Sequence, residues 1–393
     1  MQTLTLISIT ALACLASTQA DAQEGAFSFA PAPRWDSADG EISIKLRGRL
    51  FYDWADVDWT SPNSAAPADQ DEYRTARLGF EIEHGPVKLV MEYDFSSDDA
   101  KPNDVLLAID LPEGGLRIGH FKTMNSLEEA TSSRYMTFME RGMSTDLFGL
   151  DRRIGVAYSW AGNGFTASAG VFGGRMDDNF AFRESDGSSA VAARLTWSTI
   201  VDDTRWHVGG SWRSLDYDGG TRVRAYPQAH LANRFTAADY RTGAVPGTAD
   251  SSDFFGLELA AIRGPFHLHS EVARMSIDGP AGDPSFTSGM VQAGWILSGE
   301  ARPYKESGGT FSRLRPDSPV TDGGWGAFEI AVRHDLSDLS DANLGRIRAT
   351  TLGANWYLHD HLRAMANYVT ARMNATGFTE TSDAIQFRLQ ADF

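Results

Sequence analysis

The sequence is poor in several features that define other classes of protein. It has one cysteine among 393 residues and lysine only at positions 45, 88, 101, 122 and 305. No apolar run suits a bundle of membrane-spanning helices, because each such helix needs about 20 consecutive apolar residues. The net charge of −17 argues against a nucleic-acid partner, since a duplex requires a basic face. The 22 Phe, 11 Tyr and 10 Trp are too many for a disordered chain. These exclusions leave a soluble β-rich protein or a membrane barrel built from strands.

The N-terminal segment has most features of a secretory signal peptide. Residues 4–16 are mainly apolar, and Ala20-Asp21-Ala22 is a small-residue cleavage motif. The first three residues carry no Lys or Arg, which departs from the usual basic start. We expect residues 1–22 to be removed and residues 23–393 to form a single barrel domain. Cys14 would leave with the peptide, so the mature chain would have no disulfide and no thiol chemistry.

Apolar and polar residues alternate with period two along the rest of the chain. Near the C-terminus, Ile385, Phe387 and Leu389 alternate with Gln386 and Arg388. In a strand the two sets point to opposite faces, here an apolar face toward lipid and a polar face toward a wet lumen. About sixteen such runs are present: 41–54, 73–84, 87–95, 103–111, 115–122, 151–160, 164–172, 189–199, 204–214, 253–263, 265–275, 288–298, 325–335, 346–358, 361–372 and 383–393. They predict an all-β fold, a transmembrane antiparallel β-barrel. A soluble sandwich or solenoid is disfavoured, because the alternation continues over the whole length without a short repeat.

The connections between the runs differ in length and composition. Residues 85–86, 161–163 and 359–360 predict tight periplasmic turns, whereas 55–72, 215–252 and 299–324 are long and predict outer loops. The third loop, around residues 123–141, is too apolar for a solvated loop and lacks the alternation. We therefore expect it to fold back into the barrel and narrow the pore.

The polar faces of the predicted strands are rich in basic residues. Arginine and lysine lining a pore favour anions, because they replace the water that a permeating anion loses. The inward-facing set is Lys45, Arg47, Arg49, Arg77, Lys88, Arg117, Arg153, Arg194, Arg205, Arg213, Arg333, Arg363 and Arg388. Acidic residues such as Asp56 and Asp58 fall in predicted loops, so the pore and the whole chain can differ in the sign of their charge. Alternatively, the inward arginines pair with glutamates such as Glu258 and Glu329 and only brace the lumen.

Four residues are the candidates for the pore constriction. Lys122 and Arg134 would supply positive charge, and Ser132 and Ser133 would supply hydroxyl donors to an oxyanion. Ser132 and Ser133 have an alternative role as caps of the folded loop. We expect Glu128, Glu129 and Glu140 to anchor the loop to arginines of the wall.

No motif predicts a catalytic, cofactor or metal site. His267-Leu268-His269 and His359-Asp360-His361 each lack a third metal ligand at a fixed spacing. No phosphate-binding loop of the P-loop type is present.

Short motifs along the chain make it similar to a known family. The motifs that carry the similarity include Gly119-His120-Phe121-Lys122, Ser126-Leu127-Glu128-Glu129, Thr131-Ser132-Ser133-Arg134-Tyr135, Phe138-Met139-Glu140-Arg141, Arg152-Arg153-Ile154-Gly155-Val156, Arg302-Pro303-Tyr304 and Asn355-Trp356-Tyr357-Leu358. This set resembles the central signature of the phosphate-selective porin O and P family. The resemblance implies a homotrimeric, sixteen-stranded porin in the outer membrane of a Gram-negative bacterium. In that family the third loop constricts a pore for small anions such as phosphate.

The scarcity of lysine distinguishes the chain from phosphate-selective members of that family, which have lysine clusters. The long loop 215–252 has arginine at 222, 224, 234 and 241 but no lysine. Two alternatives therefore remain beside an anion-preferring channel for phosphate or related anions. One is a general or organic-solute porin of the same family. The other is a non-conducting barrel for adhesion or assembly.

Overall fold

A computed structural model of the chain describes residues 25–28, 32–176, 187–241, 248–280 and 282–393. The predicted signal peptide, residues 1–22, lies outside the described residues. In the described part of the chain, no helix is both long enough and apolar enough to cross a bilayer.

Sixteen antiparallel strands form the wall of a closed barrel. In chain order they are β1 Ile42–Thr60, β2 Asp71–His84, β3 Val87–Asp94, β4 Lys101–Leu111, β5 Gly114–Lys122, β6 Arg152–Gly162, β7 Phe165–Phe172, β8 Ser189–Val201, β9 Thr204–Asp216, β10 Ser251–Arg263, β11 Phe266–Asp278, β12 Ser285–Ile296, β13 Ala327–Asp338, β14 Arg346–His359, β15 Leu362–Ala375 and β16 Phe378–Asp392. Each strand pairs with the next, and β16 pairs with β1 from Thr381↔Thr60 to Asp392↔Arg49. The predicted all-β barrel is confirmed.

The two faces of each strand follow the predicted alternation. On β1, Leu46 and Leu50 are 43% and 46% exposed on the outside, whereas Phe51 and Asp53 on the other face are buried. An outer surface of isolated exposed apolar side chains matches hydrocarbon rather than water as its surroundings. The inner face is filled by loops that enter the lumen, so the buried core lies inside the barrel.

Several strands extend further at the long-loop end than the alternation predicted. The first strand continues to Thr60, and the next begins at Asp71, so the loop predicted over 55–72 is shorter. Asp56 and Asp58, which were expected in this loop, lie on the outward face of β1. The apolar half of the pattern ends where the hydrocarbon ends, but the backbone hydrogen bonds of the barrel continue above it.

A β-bulge in β2 changes the direction of one arginine. Phe51 pairs with Thr75 and Tyr52 pairs with Tyr73, so Arg74 is an extra residue in the ladder. Tyr73 is 57% exposed on the outside, whereas Arg74 contacts Glu140 inside the barrel. Strict alternation assigns Arg74 to the lipid face, and the bulge corrects this by turning its side chain inward.

The predicted outer loop 299–324 lies at the opposite end of the barrel. It connects β12 to β13 at the end that also holds the tight turn 85–86, so the expectation for this segment was wrong. We call residues 297–326 the inner segment, because a short hairpin, Tyr304–Lys305 with Thr310–Phe311, enters the lumen. Phe311 packs there against Leu127 of the third loop and against Ala260 and Ile262 of β10.

Phe311→Ala is expected to loosen the inner segment. Phe311 is 2% exposed and also stacks on the Arg302 guanidinium, 4.2 Å from its ring centre. Loss of a buried phenylalanine ring costs about 3 kcal/mol or more. Urea unfolding in lipid vesicles should show that loss. Trp325→Ala, at the exposed end of the same segment (79% exposed), serves as the control and should change the unfolding free energy by less than about 1 kcal/mol.

Candidate functional site

The third loop, residues 123–151, occupies the lumen between β5 and β6. It contains two short helices, α1 Leu127–Ala130 and α2 Met143–Leu147, and a 3-10 turn at Ser133–Tyr135. Ser126 caps α1 by accepting a hydrogen bond from the Glu129 N–H, and its own hydroxyl donates to Glu271 of β11 at 2.6 Å. The capping serine thus ties the start of the loop to the wall.

Arginines of the wall hold the loop through its backbone carbonyls. Arg363 donates to Met136 O at 2.7 Å, and Arg388 donates to Met139 O at 2.6 Å. Arg333 and Arg213 donate to Glu140 O at 2.9 Å and to Phe148 O at 2.7 Å. A loop inside a barrel has carbonyls without strand partners, and the five N–H groups of arginine can satisfy several of them at once.

This arrangement corrects the expected role of five basic residues. Arg153, Arg213, Arg333 and Arg363 point inward as predicted, but they are at most 3% exposed. Arg194 is also buried, with Glu258 at 2.8 Å and Gly309 O of the inner segment at 2.7 Å. These side chains brace loops and do not line open lumen, because the loops that fold inward cover them.

Three further members of the predicted set lie outside the main cavity. Arg205 contacts Glu306 of the inner segment at 2.6 Å. Arg117 donates to Ser159 at 3.2 Å and lies over the Phe121 ring. Lys45 is half-buried on the inner face of β1.

The three glutamates of the third loop all contact basic groups. Glu140 pairs with Arg74 and Arg388 of the wall, both at 3.1 Å. Glu128 lies 3.6 Å from His269 and 3.7 Å from Arg333. Glu129 contacts Lys122 at 2.9 Å and Arg141 of the loop itself at 3.0 Å.

The pairing of Glu140 makes the loop contact resistant to acid. Burial opposes its ionisation, but the charges of Arg74 and Arg388 outweigh burial and lower the pKa of Glu140 from 4.5 to about 2. A lowered folded-state pKa adds stability that is complete above the unfolded value. We therefore expect this stabilisation to persist at pH 5 and to disappear as the pH falls from about 4.5 toward 2. Unfolding free energies measured across this range should fall less steeply for Glu140→Gln than for the native chain.

A cavity of about 870 Å³ lies between the third loop, the wall and the loop after β9. Among the described residues that line it, twelve are Lys or Arg and five are Asp or Glu. The basic ones are Arg47, Arg49, Arg74, Arg77, Lys101, Lys122, Arg134, Arg141, Arg152, Arg224, Arg234 and Arg388. The five carboxylates, Asp104, Glu129, Glu140, Asp146 and Asp151, each lie within 4.0 Å of a basic group. The cavity thus has a large positive excess inside a chain of net negative charge.

All four predicted constriction residues line this cavity. The Ser133 hydroxyl accepts from Arg49 at 2.7 Å, and the Ser132 hydroxyl accepts from the Arg134 N–H at 3.4 Å, so Ser132 also caps the turn. Lys122 donates to the Glu129 carbonyl at 2.6 Å. Of the predicted wall residues, Arg47, Arg49, Arg77 and Arg388 line the cavity as well.

Arg134 connects the cavity to the other end of the barrel. Besides the cavity, it lines a narrow pocket of about 20 Å³ on the side of the inner segment, together with Arg313 and His361. Arg134 lies 3.7 Å from Asp392, and its guanidinium is 5.5 Å from the Tyr135 ring centre. A solute that moves from one space to the other must pass this side chain.

The loop after β9 adds basic residues that the site prediction omitted. Arg224 and Arg234 both line the cavity, with Tyr226 and His230. Burial, together with the charges of Arg234 and Arg222, lowers the pKa of Arg224 to about 10. Such repulsion among cations indicates a positive potential. The arginine-rich composition of 215–252 was the available signal, but without alternation it gave no direction for the side chains.

Strand ends supply the other omitted residues. Lys101 begins β4, and Arg152 begins β6 opposite Lys122. Arg152 pairs with Asp104 at 2.7 Å. Lys101 and Arg224 have no ion-pair partner within the part of the chain that the structure describes.

A closed sixteen-stranded barrel whose lumen is narrowed by an inward loop is the architecture of an outer-membrane porin. The sequence model of the phosphate-selective porin O and P family matches residues 44–393. The chain belongs to this family, and its location is therefore the outer membrane of a Gram-negative bacterium.

Individual relatives agree with this assignment. An uncharacterized protein of Caulobacter vibrioides is 30% identical over 346 residues, covering 84% of this chain and 68% of that protein. Porin O of Pseudomonas aeruginosa is 25% identical over 383 residues, covering 86% of this chain and 84% of that protein.

Solved structures share the fold at low identity. An anion-selective porin from Comamonas acidovorans superposes with a TM-score of 0.58 at 14% identity, over 90% of this chain and all of that one (100%). The outer-membrane channel DcaP of Acinetobacter baumannii superposes with a TM-score of 0.55 at 11% identity, over 91% of this chain and 99% of that one.

Proposed function

We propose that the protein is an anion-preferring diffusion channel for phosphate or related small anions. The observation that carries the proposal is the cavity beside the third loop, where twelve basic side chains face five carboxylates that are already paired. An anion entering this space exchanges water for guanidinium and ammonium donors, whereas a cation meets repulsion. Porin O and the anion-selective porin are relatives whose names agree with this preference.

The route runs from the outer loops through the basic cavity and past Arg134. The guanidinium of Arg134 offers a planar set of donors that matches a tetrahedral or planar oxyanion, and Ser133 adds a hydroxyl close by. Arg313 and His361 receive the anion on the side of the inner segment. Each site is exposed to water, so binding is weak enough for release.

Phosphate block of chloride current tests which anions the channel prefers. Single channels in lipid bilayers carry chloride current while phosphate is added up to millimolar concentration. A phosphate-binding channel loses current in a saturable way, and a general porin for organic solutes keeps it. The general alternative rests on the cavity lining, where lysine occurs only at Lys101 and Lys122. Failure of the purified protein to form channels at all would instead indicate a non-conducting barrel.

We also propose a homotrimer. A trimeric form is named for an outer-membrane protein of Vibrio cholerae that shares the fold, with a TM-score of 0.56. Chemical cross-linking in detergent should yield a species of three chains, and a monomer after mild extraction would contradict the proposal.

A further inference from the structure

The outer surface of the barrel carries two arginines directly opposite each other on neighbouring strands. Arg348 of β14 and Arg372 of β15 are register partners, and both are exposed. They share the outward face with Leu352 and Tyr368, which are 52% and 48% exposed. Cross-strand partners on one face have Cβ atoms about 5 Å apart, so the two positive charges repel each other.

This pair has no counter-charge within the described residues. Arg372 donates from Nε to the Asn374 side-chain oxygen at 2.9 Å, which is a neutral group. The next arginine up the strand, Arg346, is neutralised by Asp338 at 2.8 Å. No carboxylate of the described chain lies within 4.0 Å of Arg348 or Arg372.

A similar pair inside the barrel shows what is missing. Arg49 and Arg77 are also register partners, on β1 and β2. The carboxylate of Glu92 lies 4.0 Å from Arg49 and 3.5 Å from Arg77, and it offsets their repulsion. On the outside no residue takes the place of Glu92, so the counter-charge must come from the surroundings.

The height of the pair in the membrane identifies those surroundings. Tyr368 lies four residues along β15 from Arg372, about 13 Å at the usual rise per residue. Thr350 and Thr370, opposite each other, lie between the arginines and the apolar side chains. Below them, Val332 and Ile385 continue the exposed apolar surface, at 44% and 49% exposed. Because this end of the barrel carries the long loops, the arginines reach the headgroup level of the outer leaflet.

We infer that Arg348 and Arg372 bind the phosphate group of a lipid headgroup in the outer leaflet. Two guanidinium groups can each donate a pair of hydrogen bonds to one phosphate, which removes their mutual repulsion. The acyl chains of the same lipid would lie on Leu352 and Tyr368. The continuous apolar surface below the pair favours a lipid over a carboxylate from a second copy of the chain.

Binding of lipid A to the purified native protein tests this inference. Native mass spectrometry in detergent compares lipid A carrying two phosphates with the same lipid after enzymatic dephosphorylation. The native protein should bind the phosphorylated lipid about tenfold more tightly, as expected for charge-assisted hydrogen bonds. The variant Arg348→Gln/Arg372→Gln should lose that preference. The control Arg263→Gln/Arg346→Gln removes two outward arginines elsewhere and should retain it.

Three results would overturn the inference. Equal binding of both lipids, or an unchanged preference in the double variant, would show that the pair does not recognise the phosphate. Loss of oligomers in the variant without loss of lipid would assign the pair to a contact between chains. Competition by millimolar inorganic phosphate alone would indicate a site for the free ion. Ion selectivity should be unchanged in the variant, so this test is independent of the proposed channel function.

Discussion

Replacing Lys101 and Arg224 together by glutamate is expected to abolish the anion preference of the channel. Both side chains line the cavity, and neither has an ion-pair partner in the described chain, so the substitution leaves no buried carboxylate without its partner. A charge reversal about 8 Å from the ion path changes the ion's energy by about 1 kcal/mol in water. Allowing for salt screening, two reversals should lower the chloride-to-potassium permeability ratio by about tenfold.

The matched control places the same charge change outside the barrel. Arg274→Glu/Arg346→Glu reverses two outward-facing arginines, which lie on β11 and β14. The low-dielectric wall and the solvent separate them from the ion path, so the permeability ratio should remain that of the native channel. If both double variants shift the ratio equally, the overall charge of the protein controls selectivity, and the cavity does not.

Glu140→Gln is expected to release the middle of the third loop and to raise single-channel conductance. Glu140 is the ion-pair partner of Arg74, and it shares Arg388 with Asp53. Removing one member of a buried pair leaves the other charge uncompensated and costs about 3 kcal/mol. The loop then moves away from the wall, so current should be larger and noisier, and the unfolding free energy in vesicles should fall.

Two further variants show whether the effect belongs to this contact. Glu83→Gln removes the same charge from a half-exposed pair with Lys88 and should cost less than about 1 kcal/mol. Arg74→Gln added to Glu140→Gln removes the uncompensated arginine and should recover part of the lost stability. A double variant as unstable as the sum of its single variants would argue against a direct Arg74–Glu140 coupling.

The sequence was most informative where lipid imposes a pattern on the chain. Alternation gave all sixteen strands, because each outward residue must be apolar within the hydrocarbon. It failed at Arg74, since a bulge adds one residue and reverses the facing of the side chain without any change in composition. It also failed for residues 299–324, where Gly, Pro and Ser are equally typical of an outer loop and of a segment that enters the lumen. Counting strands from β1 would have placed that connection at the tight-turn end.

The direction of a side chain was easier to predict than its task. Arg213, Arg333 and Arg363 face inward, but a loop covers them and uses their donors. Their role depends on contacts between residues more than 60 positions apart, such as Arg213 with Gly149 at a separation of 64. Local patterns contain no information on such pairs. The split of charge between an acidic chain and a basic lumen could be predicted, because it needs only the facing of each strand residue.

The zero-current potential of the native channel in a KCl gradient tests the central claim most directly. Purified protein in a planar bilayer separates two KCl solutions of different concentration at neutral pH. If the basic cavity controls permeation, the potential takes the sign of chloride preference and decreases as the ionic strength of both solutions rises. A potential with the sign of potassium preference would contradict the account, because the net acidic charge of the chain and not its lumen would then select the ion.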